Sequence, residues 1–255
     1  MRKQDDGAVL GAKQAAMAET GVKALMPIDR PFLDYVLHAL AEAGYKRVCL
    51  VIGPEHDVMR DYYGRQLRPK RLTIEFAVQE KPLGTANAVA AVEEFAARDP
   101  FLVINSDNYY PIEAMAGLRK LSGSGLAVFE REAMIAQSNI AADRITKFAV
   151  VQTNERGQME RIVEKPSEEV LRSLPEPICV SMNCWRFSAK IFEACRAIPL
   201  SARGEYEIPD AVEYTMKKLG ETYQVLSYRA GVLDMSCRAD IPAVAAKLAG
   251  SRVEL

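Results

Sequence analysis

The stretch "FLVINSDNYY" at residues 101–110 decides how this chain is read. Its first five residues, "FLVIN", are an apolar run with no polar alternation, which suits a strand covered on both faces inside a parallel sheet. The run ends in Ser106-Asp107-Asn108. Open α/β sheets bind their ligands beyond the carboxyl ends of the strands, so Asp107 stands where chemistry would be done. The same aspartate in an Asx turn would only cap a loop.

Upstream, "RVCLVIG" (47–53) is a second buried run, closed by Gly53-Pro54, and "LTIEFAV" (72–78) alternates with period two. Between them "EHDVMRDYYG" (55–64) reads as a short helix. "PFLDYVLHALAEAGYK" (31–46) has Leu33, Val36, Leu37 and Leu40 at helical spacing, with Pro31 suited to its first turn and Gly44 to its end. His38 falls on the polar side of that helix and reads as a surface residue. "ANAVAAVEEFAA" (86–97) is a further helix with Thr85 as its N-cap. Helices alternating with strands predict βαβ units and a mainly parallel sheet.

The second half reads as mixed. "FAVVQTNERGQMERIVEKP" (148–166) predicts a hairpin with Gly157 in the turn. "CVSMNCWRF" (179–187) and "TYQVLSY" (222–228) predict strands. "SAKIFEACRAI" (188–198), "GEYEIPDAVEYTMKKLG" (204–220) and "DIPAVAAKLAG" (240–250) predict helices. A soft boundary near residue 165 separates residues 1–165 from 166–255.

The chain has 255 residues, 49% hydrophobic and 26% charged, enough for one large α/β domain or two small lobes. A net charge of −1 gives no global basic field for nucleic acid or a membrane surface, so an anionic ligand must be held locally. Five cysteines without a CxxC pair, and two histidines, fit neither a disulfide framework nor a zinc site; a reducing cytoplasm suits them. No apolar run reaches the length of a membrane span.

Four segments, in this order and at these spacings, resemble the sugar nucleotidylyltransferases, also called nucleoside-diphosphate-sugar pyrophosphorylases. They are "KALMPIDRPFLDYVLHAL" from Lys23, "VQEKPLGTANAV" from Val78, "LVINSDNYY" from Leu102 and "RIVEKPSE" from Arg161. "SMNCWRF", "GEYEIPDAV" and "AGVLDMSCRADI" extend the resemblance to about Asp240. It implies a Rossmann-like (GT-A-like) α/β fold, a mostly parallel sheet flanked by helices with a mixed or antiparallel sugar-facing half. Residues 1–165 would bind the nucleotide and 166–255 the sugar.

The implied reaction is NTP + sugar 1-phosphate → NDP-sugar + pyrophosphate, with UTP or dTTP as donor. Both substrates are anionic, so their repulsion must be cancelled; Mg²⁺ held by Asp107 and Asp234 and by phosphate oxygens would do this. Lys23 would place positive charge near the α-phosphate. Lys165 would hold the phosphate of the sugar 1-phosphate and Glu164 the sugar hydroxyls. Gln79, Gly84 and Thr85 would read the base: the glutamine amide donates to a carbonyl and accepts from N3–H. Asn183 and Glu205 would contact the sugar, and Trp185 would share the face of Asn183 or belong to the core. Where the family follows its second metal-binding aspartate with a glycine-containing turn, this chain has Met235-Ser236-Cys237. A homo-oligomer is left open.

The family's first strand and its Gly-rich phosphate loop have no counterpart before Lys23 in "MRKQDDGAVLGAKQAAMAETGV". "MRKQD" is what would follow such a loop, so the expectation is a reading frame that starts upstream, with Gly7–Gly21 an insertion. A sheet that lacks this central strand would have a slot along its middle. The alternative is a non-catalytic nucleotide- or sugar-binding relative.

Overall fold

The computed structural model describes residues 23–255. The insertion expected over Gly7–Gly21 and the upstream phosphate loop lie outside the described residues. Among the described residues the strands are β1 (Arg47–Ile52), β2 (Thr73–Val78), β3 (Phe101–Val103), β4 (Asn108–Tyr109), β5 (Ser124–Glu130), β6 (Val150–Thr153), β7 (Met159–Val163), β8 (Cys179–Phe187), β9 (Tyr223–Tyr228) and β10 (Leu233–Asp234).

Helices alternate with these strands, as the sequence predicts. Pro31 precedes the Phe32–Glu42 helix, whose Leu33, Val36, Leu37 and Leu40 are all buried. Asp34 is buried with them; Arg30, Tyr62 and Tyr63 hydrogen-bond its carboxylate, which is how a charge survives in that face. The predicted 86–97 helix is two short helices, Thr85–Ala90 and Glu93–Ala96. The Ile208–Leu219 helix ends on Gly220, whose left-handed φ of 63° closes it.

Two strand pairs are parallel, β1 with β2 and β5 with β9. The remaining pairs are antiparallel, a larger share than the sequence predicts. The main sheet runs β7-β6-β8-β5-β9, with β3 beside β6 on the same edge of β8. β5, absent from the predicted strands, is an inner strand of it, paired on both edges and buried along most of its length. Strands from both sides of residue 165 share this sheet, and β10 pairs with β4 across 126 residues of chain.

Among the described residues, β1 pairs only with β2, and β3 only with β8. Between them lies a cavity of about 800 Å³, walled by Val48, Leu50, Leu102 and Val103 and floored by Val36 and Leu40. The cavity runs on past Thr85 and Glu207 to Glu164, Lys165 and Asn183, so the space between β1 and β3 is continuous with these predicted sugar-facing residues.

The helix contacts also correct one reading. Thr85 does not cap its own helix; Gly84 holds that position. Thr85 Oγ1 instead accepts the backbone N–H of Ile208 at 3.0 Å, satisfying a free donor at the start of the Ile208–Leu219 helix. Thr85→Val is therefore expected to destabilise the protein by about 1 kcal/mol, the usual worth of a lost cap, as read from denaturant midpoints.

Candidate active site

Lys23 begins a 3₁₀ turn, Lys23–Leu25, whose Ala24 and Leu25 are buried. The turn aims the lysine at the end of β3, where Nζ meets Asp107 Oδ2 at 2.8 Å. Both side chains are partly exposed, at 31% and 23%. The pair sits at a sheet's carboxyl edge, where the sequence places Asp107.

Asp234 is brought to the same place by the β4–β10 pairing, which sets it opposite Asn108; Met235 N donates to the Asp107 carbonyl at 2.8 Å. Asp107 and Asp234 line one small cavity of about 200 Å³ together with Asn105, Arg144 and Asn183. Asp234 is held from every side. Asn108 Nδ2 and Ser236 Oγ donate to its Oδ1 at 2.9 and 2.6 Å, and Arg144 Nη2 meets Oδ2 at 2.6 Å. Asn139 bonds its backbone N–H and carbonyl at 2.8 and 2.7 Å. Burial pushes the Asp234 carboxyl above its ordinary range; the Ser236 hydroxyl opposes this, and Asp107 and Asp240 add to it. Met235-Ser236-Cys237 thus does structural work of its own: Ser236 fixes the carboxylate from inside the turn.

The donor set suits a hard divalent cation. Two carboxylates face one cavity, and among the described residues no group of three or more His, Cys, Asp or Glu is placed to hold a metal ion by itself. Such a pair needs oxygens from elsewhere, which a triphosphate supplies.

Glu164 and Lys165 end β7 on the larger cavity, and Lys165 has a left-handed φ of 44°. Desolvation at that wall, and then Glu207, hold the Glu164 carboxyl above its usual range. Asn183 has φ 57° in the middle of β8, beside the register shift between Ala127 and Val128. That bulge leaves Asn183 exposed between buried Met182 and Cys184, the turning-out of a side chain that bulges produce. Asn183 lines both cavities and joins them. Trp185 is 1% exposed and stacks on Phe187, so it is core; its Nε1 donates to Asn183 Oδ1 at 3.4 Å.

At the base end, Gln79 Nε2 donates to Gly84 O and to Asn87 Oδ1, both at 3.0 Å. Its two amide hydrogens are used within the protein, so only its carbonyl is left to accept from a base. The donating half of the predicted pairing is spoken for. Gly84 has φ 110°, and a Cβ there would lie 2.5 Å from Tyr206 O. Its glycine is demanded by the neighbouring backbone. Glu205 is exposed on the 201–205 turn and does not line the cavity; Glu207 does, held by Arg203 at 3.0 Å.

The structure therefore brings Asp107, with Lys23 paired to it, and Asp234 to one cavity, and Glu164, Lys165 and Asn183 to the next. Asn108, Asn139, Arg144, Ser236 and Asp240 complete the surroundings of the carboxylates, and of these Asn139 and Arg144 lie outside every motif of the sequence.

Comparison with known proteins places the chain in one family. The nucleotidyl transferase family matches residues 18–232. The UTP–glucose-1-phosphate uridylyltransferase AglF of Haloferax volcanii is 24% identical over 226 residues, covering 88% of this chain and 87% of that protein. A glucose-1-phosphate thymidylyltransferase of Streptomyces griseus is 29% identical over 205 residues, covering 80% of this chain and 54% of the relative, so this chain spans about half of that protein. A UDP-glucose pyrophosphorylase solved with UDP-glucose superimposes with a TM-score of 0.71 at 20% identity, over 90% of this chain and 91% of that one. That likeness is one of fold.

Proposed function

Since the chain belongs to the nucleotidyl transferase family, we propose that it transfers a nucleoside monophosphate from UTP or dTTP to a sugar 1-phosphate, releasing pyrophosphate. The observation that carries this is the meeting of Asp107 and Asp234 at one cavity, with Lys23 ion-paired to Asp107 and with Glu164, Lys165 and Asn183 lining the cavity beside it. A curated uridylyltransferase and a thymidylyltransferase among its relatives supply the two candidate donors.

The sugar 1-phosphate oxygen attacks the α-phosphorus and pyrophosphate leaves in line. Lys23 brings a positive charge to the strand end where the α-phosphate would lie, and positioning with charge neutralisation is most of what such a transfer requires. Mg²⁺, held by Asp107 and Asp234 and completed by phosphate oxygens, would supply further neutralisation and orientation. Lys165 holds the sugar phosphate; Glu164 and Asn183 take sugar hydroxyls. Gln79 accepts from N3–H of the base. The protein acts in the cytoplasm in this reading; among the described residues no helix is long and apolar enough to cross a membrane.

Pyrophosphate release tests the reading. With glucose 1-phosphate and Mg²⁺, release from UTP or dTTP is expected, and none from ATP. Nucleotide binding without release from any donor would replace the transferase with a non-catalytic binding protein.

A further inference from the structure

Arg144 has no place in the reaction as described, yet it touches the centre of the site. It lies in the short Ala142–Ile145 helix and is 32% exposed. Its guanidinium forks. Nη2 meets Asp234 Oδ2 at 2.6 Å and Nη1 meets Asp240 Oδ1 at 2.7 Å. The two acceptors differ in kind. Asp234 faces the 200 Å³ cavity; Asp240 does not line it. Asp240 is fixed in the protein, since its other oxygen accepts the backbone N–H of Cys237 at 2.9 Å at the start of the Asp240–Leu248 helix. Arg144 therefore has one anchor outside the cavity and one contact inside it.

The inner contact matters because of what it occupies. Asp234 Oδ1 already accepts two hydrogen bonds, from Asn108 and Ser236, so Oδ2 is the less crowded oxygen, and Arg144 is on it. A cation that is to use Asp234 meets the guanidinium there. Asp107 is arranged the same way, with Lys23 on its Oδ2. Each carboxylate of the pair carries its own protein counter-ion, so two negative charges can face one small cavity.

We propose that Arg144 is a positioning residue that competes with the divalent cation for Asp234 and, held by Asp240, hands that carboxylate over when the cation and nucleotide bind. This rests on the reading of Asp234 as a metal ligand. The freed Nη2 stays at the cavity mouth on its anchor, where it faces an anionic substrate instead of a carboxylate. A bidentate guanidinium can release one partner and keep the other, which a lysine, with a single ammonium, cannot do in the same geometry.

Mn²⁺ binding to the protein without nucleotide, followed by electron paramagnetic resonance, tests this. Wild type, Arg144→Gln, Arg144→Lys and Asp234→Asn are compared, with circular dichroism melts to confirm that each is folded. Arg144→Gln is expected to bind Mn²⁺ about tenfold more tightly than wild type, Arg144→Lys to fall between, and Asp234→Asn to bind far more weakly. An arginine that only braced the fold would lower the melting temperature and leave Mn²⁺ affinity alone. Unchanged or weaker Mn²⁺ binding in both Arg144 variants, with Asp234→Asn still weakened, overturns the proposal and leaves Asp234 as a ligand. Unchanged binding in Asp234→Asn removes the ligand assignment, and the proposal with it.

Discussion

Asp107→Asn is expected to cut pyrophosphate release on the order of 10²–10³-fold, with an unchanged melting temperature. The side chain is partly exposed and hydrogen-bonds to Lys23, which can still donate to an amide oxygen. Packing loses nothing, because asparagine has the same shape. What changes is charge. The wild-type pair presents a carboxylate that is neutralised by Lys23 and able to serve a divalent cation; the amide is a poor ligand for a hard cation and leaves the Lys23 ammonium without its counter-charge. The backbone carbonyl of residue 107 keeps its bond from Met235 N, so β4 and β10 stay in register and Asp234 stays in place. The decisive comparison is the Mg²⁺ dependence of initial rates at saturating UTP or dTTP. A variant with wild-type rates and wild-type Mg²⁺ dependence would remove Asp107 from the metal site.

How far such a site can be read from sequence depends on the range of the signal. Asp107 was legible because an apolar run followed by an aspartate is local, and the position of a strand end in an α/β sheet has a general meaning. Lys23 was legible from the order of motifs. Its contact with Asp107 spans 84 residues. Arg144 was not legible at all. It sits in a four-residue helix, and its two partners lie 90 and 96 residues away in sequence. Glu205 and Glu207 show the same limit at short range: both belong to one acidic turn, and only the course of the backbone into the Ile208–Leu219 helix decides which lines the cavity. The α/β alternation was clear from periodicity. The excess of antiparallel pairing was not, because β8 takes β5 on one edge and both β3 and β6 on the other, and partner choice leaves no local mark.

Gly84→Ala is the largest stability effect expected, a loss of roughly 2–4 kcal/mol and a fall in melting temperature of roughly 5–15 °C. Two costs coincide at this residue. Its φ of 110° lies where an L side chain is strained, and its Cβ would sit 2.5 Å from Tyr206 O and 2.8 Å from Tyr206 N. Neither obstacle is a flexible side-chain tip. Tyr206 N donates to Leu83 O and Tyr206 O accepts from Ala86 N, at 2.8 and 2.9 Å, so the colliding backbone is stitched to the residues on either side of Gly84. Moving it aside breaks those bonds. It also drags Ile208, whose N–H is capped by Thr85, and the carbonyl of Gly84 itself, which accepts from Gln79. The strain is therefore passed to the Gln79 amide and to the Glu207 side of the cavity together. Activity is expected to fall through the nucleotide and sugar KM values more than through kcat, since Lys23, Asp107 and Asp234 are held by other elements. Chemical denaturation of Gly84→Ala beside Thr85→Val separates the two contributions: the valine loses the cap alone, and the alanine loses the seam between the Gly84 turn and Tyr206. Equal stabilities for Gly84→Ala and wild type would mean that this seam yields without cost, and would return Gly84 to the base-contacting role that its sequence motif implies.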